Sequence, residues 1–239
     1  MNAINEFLTY ARSYDTSDGR VRLKIIHTLG VLGNMRALCL LEHIEGDLKT
    51  AAETAAVFHD VGRFEQLRRY DTFFDSQSVD HAALSAQIVR ENGWLEHSPY
   101  EKEILTAIEC HNRLDDRPHN PTAALLYDLV RDADKLDILR VFAVDDVRDM
   151  TSYDSRDMKQ SFASDAVLKD LYAGRPVDKR HRQTPIDIWL TYLGFLNDLH
   201  FDSARKLCEC TGFWKKRFEE SRFEDPRIME LVKFMGSRL

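Results

Sequence analysis

The chain has little cysteine, and its few cysteines form no recognisable motif. Cys39, Cys110, Cys208 and Cys210 show no C-x-x-C spacing. Four cysteines in 239 residues do not make the disulfide framework of a small secreted domain. We therefore expect reduced thiols in a cytoplasmic protein.

Long apolar runs are also missing. The first residues, MNAINEFLTYARSY, carry an acidic residue at position 6 and no extended apolar core, which argues against a signal peptide. No run approaches the roughly 18 apolar residues that span a bilayer. We expect no membrane partner.

An excess of positive charge is absent as well. The chain has 33 Lys and Arg against 40 Asp and Glu, a formal net charge of −7. This balance argues against a nucleic acid partner, and the short basic clusters at 179–182 and 215–217 are typical of solvated surface. A small phosphorylated molecule suits the chain better than a polymer, and the sequence leaves room for a homo-oligomer.

Strand patterns are almost absent, whereas helix patterns recur throughout, so we predict an all-α fold. Apolar residues at helical spacing and residues typical of helix ends predict helices over 4–14, 21–43, from 47 or 50 to 59, 80–92, 98–111, from 120 onward, 164–172, 184–200 and 226–235. Residues 98–101 (SPYE) and 184–187 (TPID) are typical of capping boxes. Residues 145–159, rich in Asp, Arg and Ser, predict a loop. Without repeats or Gly/Ser linkers, residues 1–239 are expected to form a single compact unit.

Metal-ligand residues collect near the predicted helix ends. In VFHDVGRFEQ, an Ala-rich helix ends in the pair His59-Asp60. The other candidates are His27, His81, His111 and the aspartates of RDADKLD, namely Asp132, Asp134 and Asp137. Imidazole combined with carboxylate suits Mn, Fe, Co, Ni or Zn better than Mg or Ca. About four such residues hold one ion, and six can hold two with a carboxylate between them.

Each of these signals also has an ordinary structural explanation. A single His on a helix face is more often packed or exposed than a ligand. The His59-Asp60 pair is compatible with a charge-paired helix end, since cationic His suits a helix C-terminus. RDADKLD is compatible with a solvated face that pairs Asp with Arg or Lys.

Taken together, the order H…HD…H…H…D resembles the HD-domain superfamily of metal-dependent phosphohydrolases. The matching segments are IIHTLGV, VFHDVGRFEQ, VDHAALSAQIV, IECHNR and RDADKLDIL, within about residues 20–142. The resemblance implies an HD-type helical bundle over 20–142 with additional helices in 143–239. Within those helices, the segment TPIDIWLTYLGFLNDLHFDSARKL resembles the second half of uncharacterised bacterial HD proteins. The resemblance to the superfamily also implies the metal ligands His27, His59, Asp60 and Asp134, while His81 and His111 resemble the extra ligands of the bimetal branch. Asp132 and Asp137 would then support the ligands or lie on the surface.

The resemblance implies hydrolysis of a small phosphate ester, such as a nucleotide or phosphorylated metabolite, by water activated on one or two divalent ions. Asp60 would bridge the ions. Arg63 is our candidate phosphate clamp, with a salt bridge to Glu65 or Asp60 as the alternative, and Asn112 and Lys135 are weaker candidate substrate contacts. Because the chain has Arg63 where the HD-GYP branch usually has Lys, and lacks the GYP triplet, we do not expect cyclic dinucleotide hydrolysis.

Two other functions remain open on the same residues. Myo-inositol oxygenase and a phosphonate-cleaving relative resemble HD proteins with six such ligands but bind two irons and use O₂. A non-catalytic regulatory module that keeps the metal centre is the third reading.

Overall fold

The computed structural model describes residues 2–113, 116–146 and 153–239, and every regular element in these ranges is a helix. The all-α prediction is therefore confirmed. The helices are α1 Ala3–Ala11, α2 Gly19–Leu41, α3 Gly46–Phe58, α4 Gly62–Tyr70, α5 His81–Glu91, α6 Glu101–Cys110, α7 Pro121–Val144, α8 Ser155–Gln160, α9 Asp165–Tyr172, α10 Ile186–Leu193, α11 Asp202–Thr211, α12 Phe213–Glu219 and α13 Arg227–Gly236. Short 3₁₀ turns cover Asp75–Gln77, Lys179–His181 and Gly194–Asp198.

The chain divides into two compact units, Met1–Asp137 and Ile138–Leu239. Helix α7 runs across this division. The expectation of a single unit over 1–239, with a core at 20–142 and an extension at 143–239, stays a prediction.

In the first unit the Ala-rich helix α3 is a central element. It packs against α1, α2, α5 and α6. Ala51, Ala52, Ala55 and Ala56 are at most 3% exposed, because such small side chains let neighbouring helices approach closely. At the end of α3, Phe58 stacks on Trp94 with ring centroids 4.8 Å apart. This packing fixes the corner where His59 and Asp60 follow.

Helix α2 has the length and composition of a membrane span, with a mean hydropathy of 1.2 over an 18-residue window. The expectation that no segment has the length and composition of a membrane span is therefore wrong for α2. One face of the helix, including Val31, Leu32, Met35 and Leu38, is buried inside the protein. The absence of a membrane partner stays a prediction.

Two predicted helix starts are confirmed by their caps. The Asp80 carboxylate accepts hydrogen bonds from the backbone N–H groups of Ala82 and Ala83 at the start of α5. Asn120 accepts one from the Ala123 N–H at 3.0 Å, and Pro121 is the first residue of α7. Pro fits there because its missing N–H would have no partner within the helix.

The two predicted capping boxes are wrong. Helix α6 begins at Glu101, after a turn in which the Glu101 N–H donates to the Ser98 carbonyl, so Ser98 does not cap it. Helix α10 begins at Ile186, and only half of the Thr184 box forms. Asp187 accepts from the Thr184 N–H at 3.0 Å, while Thr184 Oγ1 is buried without a hydrogen-bond partner in the described residues.

The predicted loop at 145–159 is partly wrong. Helix α8 begins at Ser155, where Asp154 and Asp157 form a capping box of their own. Residues 147–152 lie outside the described ranges. The helix predicted over 184–200 ends at Leu193 and continues as a 3₁₀ turn, and α11 and α12 were not predicted.

Candidate metal centre

The six predicted metal ligands converge from separate parts of the first unit. His27 lies on α2, His59 and Asp60 follow α3, His81 begins α5, His111 follows α6 and Asp134 lies on α7. Their ligand atoms form three overlapping groups, each with all atoms within 4.8 Å of one another. The groups are His27–His59–Asp60, His59–His111–Asp134 and Asp60–His81–His111.

Gly62 lets the His-Asp corner approach α5. A Cβ at this position would lie 2.7 Å from both the His81 carbonyl oxygen and the Ser85 nitrogen. The Gly62 N–H donates to Ser85 Oγ at 2.8 Å. A larger residue would separate Asp60 from His81, so the glycine of HDVGR has a steric function here.

The two oxygens of Asp60 face different histidine pairs. Oδ2 lies 3.7 Å from Nε2 of both His27 and His59. Oδ1 lies 3.4 Å from His81 Nε2 and 3.9 Å from His111 Nε2. Asp134 joins the first pair, with its Oδ1 3.0 Å from His27 Nε2 and 3.5 Å from His59 Nε2. This is the arrangement expected of a carboxylate shared by two ions.

All four imidazoles are held through Nδ1. His59 Nδ1 donates to the Ala56 carbonyl at 2.8 Å, and His111 Nδ1 donates to the Ile108 carbonyl at 2.7 Å. The other two histidines have a carboxylate instead of a carbonyl as the partner of Nδ1. Asp137 lies 2.7 Å from His27 Nδ1, and Asp75 lies 2.6 Å from His81 Nδ1. Such partners orient the ring so that Nε2 presents its lone pair to the centre.

The centre is buried, and some of its polar atoms lack ordinary partners. Each of the four histidines and Asp60 is at most 5% exposed. Nε2 of His27 and of His59 has no well-aligned hydrogen-bond partner in the described part of the chain. Nε2 of His81 and Nε2 of His111 lie only 3.3 Å apart. Because polar groups buried without partners are costly, this set of atoms fits a shared divalent cation.

The protonation states agree with that fit. Burial, with the repulsion that a proton on neighbouring His59 or His81 would add, lowers the pKa of His111 to about 3. Burial and Arg63 also lower the pKa of His81. Burial would raise the pKa of Asp60, but the charge of Lys24 and the surrounding cations hold it well below its usual range. Metal binding requires such neutral imidazoles and ionised carboxylates.

On the other side of the centre, the close approach of the His27 and His59 imidazoles, with Nε2 atoms 3.0 and 3.5 Å from Oδ1, holds the pKa of Asp134 well below its usual range despite its burial. His27 differs from His81 and His111. Burial and Lys24 act to lower its pKa, but its contacts with the carboxylates of Asp134 and Asp137 outweigh them and raise it.

Arg63 is held by the loop before α5. Its Nη1 donates to Asp75 Oδ1 at 2.9 Å and to the carbonyl of Phe73 at 2.6 Å, and its Nε lies 3.5 Å from Asp60 Oδ1. Of the two alternative partners, Asp60 is therefore present, whereas Glu65 binds Arg68 and Arg69. The phosphate-clamp role of Arg63 stays a prediction.

The two weaker substrate candidates make protein contacts. Asn112 Nδ2 donates to Asp80 Oδ1 at 2.9 Å, which joins the end of α6 to the start of α5. The ammonium of Lys135 is buried 3.8 Å from Asp132 Oδ1, and Asp132 is fully buried. Their roles toward a substrate also stay predictions.

Sequence reasoning missed Lys24, Asp75 and the contact made by Asp137. Lys24 Nζ lies 2.6 Å from Asp60 Oδ2. Its position three residues before His27, on the same side of α2, was a usable signal. Asp137 is 1% exposed and therefore supports a ligand rather than lying on the surface. Asp75 carries no helical pattern that could have identified it.

Fold and site define an all-α protein with a His/Asp cluster suited to divalent metal ions. The family model of the HD domain matches residues 25–139, a segment that contains all six candidate ligands, and this segment is an HD domain. No curated protein and no solved structure matches the chain. HD domains are in general metal-dependent phosphohydrolases, so the match favours a metal-dependent hydrolase type of activity.

Proposed function

We propose that the protein hydrolyses a small phosphate ester with the help of two divalent transition-metal ions. The observation that carries the proposal is the orientation of Asp60, whose two oxygens face two different pairs of imidazoles. One position would be formed by His27, His59, Asp134 and Asp60 Oδ2. The other would be formed by His81, His111 and Asp60 Oδ1.

Charge supports a phosphate substrate. When bound, divalent ions lower the pKa of coordinated water toward neutrality and neutralise phosphoryl oxygens. The carboxylates of Asp60, Asp134, Asp75 and Asp137 offset the charge of two divalent ions, and Arg63 adds one positive charge. Nearby Lys24, 2.6 Å from Asp60, adds to this positive charge. A phosphate dianion is the natural complement of such a site.

The overall charge of the protein indicates the size of the substrate. The net charge of −7 disfavours a long polyanion. A nucleotide or phosphorylated metabolite therefore fits better than a polymer. We place this activity in the cytoplasm.

One alternative shares the same observation. Four imidazoles around a shared carboxylate are also compatible with a di-iron centre that activates O₂. Iron in the protein as isolated, with oxygen consumption on a polyol or phosphonate, would favour this oxygenase of the myo-inositol oxygenase kind. Bound metal without any turnover would favour a regulatory module.

The test combines metal analysis with a substrate screen. The purified protein is analysed for transition metals and assayed on phosphomonoesters, nucleotides and cyclic nucleotides with added Mn²⁺, Fe²⁺, Co²⁺, Ni²⁺ or Zn²⁺. We expect hydrolysis that falls by ~10³-fold or more in His59→Ala/Asp60→Ala. His119→Ala, at an exposed histidine outside the centre, serves as the control. Equal turnover by the double variant would assign the activity to a contaminant.

Arg63 requires a test that separates two roles. If it clamps phosphate, Arg63→Ala should raise KM or lower kcat while the metal content stays unchanged. If it acts through Asp75 on His81, the same variant should lose affinity for one of two metal ions. Metal stoichiometry measured beside KM and kcat distinguishes these results, and unchanged values of all three would remove Arg63 from the mechanism.

A further inference from the structure

Lys24 places a positive charge at the metal-facing oxygen of Asp60. It lies one turn before His27 on α2, and its ammonium is 2.6 Å from Asp60 Oδ2. That oxygen is the one 3.7 Å from Nε2 of both His27 and His59. The ammonium therefore interacts with an oxygen that the first metal position also needs.

The other cation near Asp60 is held differently. Arg63 approaches Oδ1 at 3.5 Å and is tied to Asp75, Phe73 and Gln66. In the described part of the chain, the Lys24 ammonium donates a hydrogen bond to Asp60 alone, and it lies 5.5 Å from the centre of the Phe73 ring. Its side chain is 17% exposed, so it reaches the protein surface. Of the two cations, Lys24 is the one that can leave.

We propose that Lys24 is an internal counter-ion that competes with a divalent cation for Asp60 Oδ2, and that the displaced ammonium becomes a contact for substrate phosphate. The second half of this proposal rests on the proposed function.

The competition follows from the positive charge of the ammonium group and from its lack of a lone pair. An ammonium group has three donors and no lone pair, so it cannot serve as a metal ligand. Held against Asp60, it repels a cation bound between His27 and His59, since screening is weak at such short distances in a buried site. Its flexible four-carbon chain allows it to turn toward solvent, where an anionic substrate would arrive.

The test uses one substitution with two expected effects of opposite sign. Mn²⁺ or Zn²⁺ is titrated by calorimetry into the full-length protein freed of metal with a chelator. Lys24→Met should bind one of two ions on the order of tenfold more tightly than wild type, because the competing charge is gone. Orthovanadate or inorganic phosphate, titrated into the metal-saturated variant, should bind on the order of tenfold more weakly, because a cation is lost.

Two variants serve as controls. Lys24→Arg keeps the charge, so metal affinity should stay at the wild-type value and phosphate affinity should be largely retained. Lys102→Met removes an exposed lysine on α6 and should change neither. Circular dichroism confirms that each variant is folded. Damage to the fold would weaken both kinds of binding, which the opposite signs exclude.

Each result decides one part of the proposal. Unchanged or weaker metal binding in folded Lys24→Met rejects the counter-ion, as does a wild-type protein that binds no divalent cation. Tighter metal binding with unchanged phosphate binding rejects only the phosphate contact. If both effects occur and no phosphate ester is hydrolysed, the proposed function fails together with the substrate contact that rests on it, and the assignment of Lys24 as a counter-ion stands.

Discussion

At the scale of single residues, the candidate metal centre depends on what stands behind the imidazoles. Each histidine pair around Asp60 combines one ring held by a backbone carbonyl with one held by a carboxylate. His59 and His111 use the carbonyls of Ala56 and Ile108. His27 is instead held by Asp137, as His81 is held by Asp75. A carboxylate partner makes the ring a more basic ligand, so these two aspartates should govern metal affinity without touching metal.

Asp137→Asn tests this role. The amide keeps the shape of the side chain but removes its charge, so we expect divalent metal to bind ~10- to 100-fold more weakly. Chelator competition measures the change. Asp47→Asn, an exposed residue on α3, should bind metal as wild type does. Equal affinity in Asp137→Asn and wild type would show that the contact with His27 does not tune the centre.

At the scale of helices, the apolar period predicted most elements because it reports which face is buried. Capping boxes at Ser98 and Thr184 failed because a cap also depends on where the chain turns. Asp187 illustrates this: its carboxylate accepts from the N–H groups of Ser164, Gln183 and Thr184, a set that includes a residue distant in sequence. Sequence spacing alone does not reveal such contacts.

The candidate site also combines residues that sequence motifs reveal with residues that only the folded structure brings together. Its six proposed ligands occur in short motifs and were predicted from them. Asp75 lies in the segment between α4 and α5, and its position is set by Arg63 and Gln66. It therefore becomes visible only in three dimensions.

Two glycines on α2 provide a matched pair. A Cβ on Gly30 would lie 1.9 Å from Asp137 Oδ1, whereas a Cβ on Gly33 would have no atom within 4 Å in the described structure. Gly33→Ala should stabilise the protein by up to ~1 kcal/mol, because alanine favours a helix. Gly30→Ala should instead destabilise it by about 1–3 kcal/mol and weaken metal binding, because Asp137 must move.

Urea unfolding and metal titration of both variants measure this difference. If Gly30→Ala matched Gly33→Ala in stability and metal affinity, Asp137 would have room to move, and the close approach of α2 and α7 would not be needed for the centre.

At the scale of the whole molecule, the second unit depends on a buried carboxylate of its own. Asp225 is 1% exposed and accepts from the N–H groups of Ala163 and Arg227 at 2.9 and 3.0 Å. Burial would raise its pKa, but hydrogen bonds from Arg227 and Ala163 lower it below the ordinary value. Because the folded-state pKa is the lower one, the stabilisation is present above about pH 4 and is lost as the pH falls through the folded value.

Asp225→Asn should therefore lower the stability of this unit by about 1–3 kcal/mol at pH 7. The difference from wild type should shrink below about pH 4, where the carboxyl becomes protonated first in the unfolded chain and then, at its lower folded-state pKa, in the folded protein. Unfolding series between pH 3 and 7 measure it, with exposed Asp202→Asn as the control. A difference that stays constant with pH would mean that the charge of Asp225 adds nothing.

Helix α7 gives the two units a common element. It carries Asp134 in the first unit and Phe142 in the second, where the Phe142 ring packs 5.4 Å from Trp189. Helical hydrogen bonds form and break cooperatively along a segment. Metal bound at Asp134 should therefore slow amide hydrogen exchange along α7 beyond Asp137, through residues 138–144. This is also what a single unit over residues 1–239 would require.

Hydrogen exchange with and without Mn²⁺ measures this effect, and His59→Ala/Asp60→Ala provides the control without a complete centre. Slowing that continues past Asp137 would mean that the state of the metal centre reaches the second unit through backbone hydrogen bonds. Slowing that stops at Asp137 would make the units independent in stability. The expected result is the first, because α7 is a single helix from Pro121 to Val144 and the division between the units falls within it.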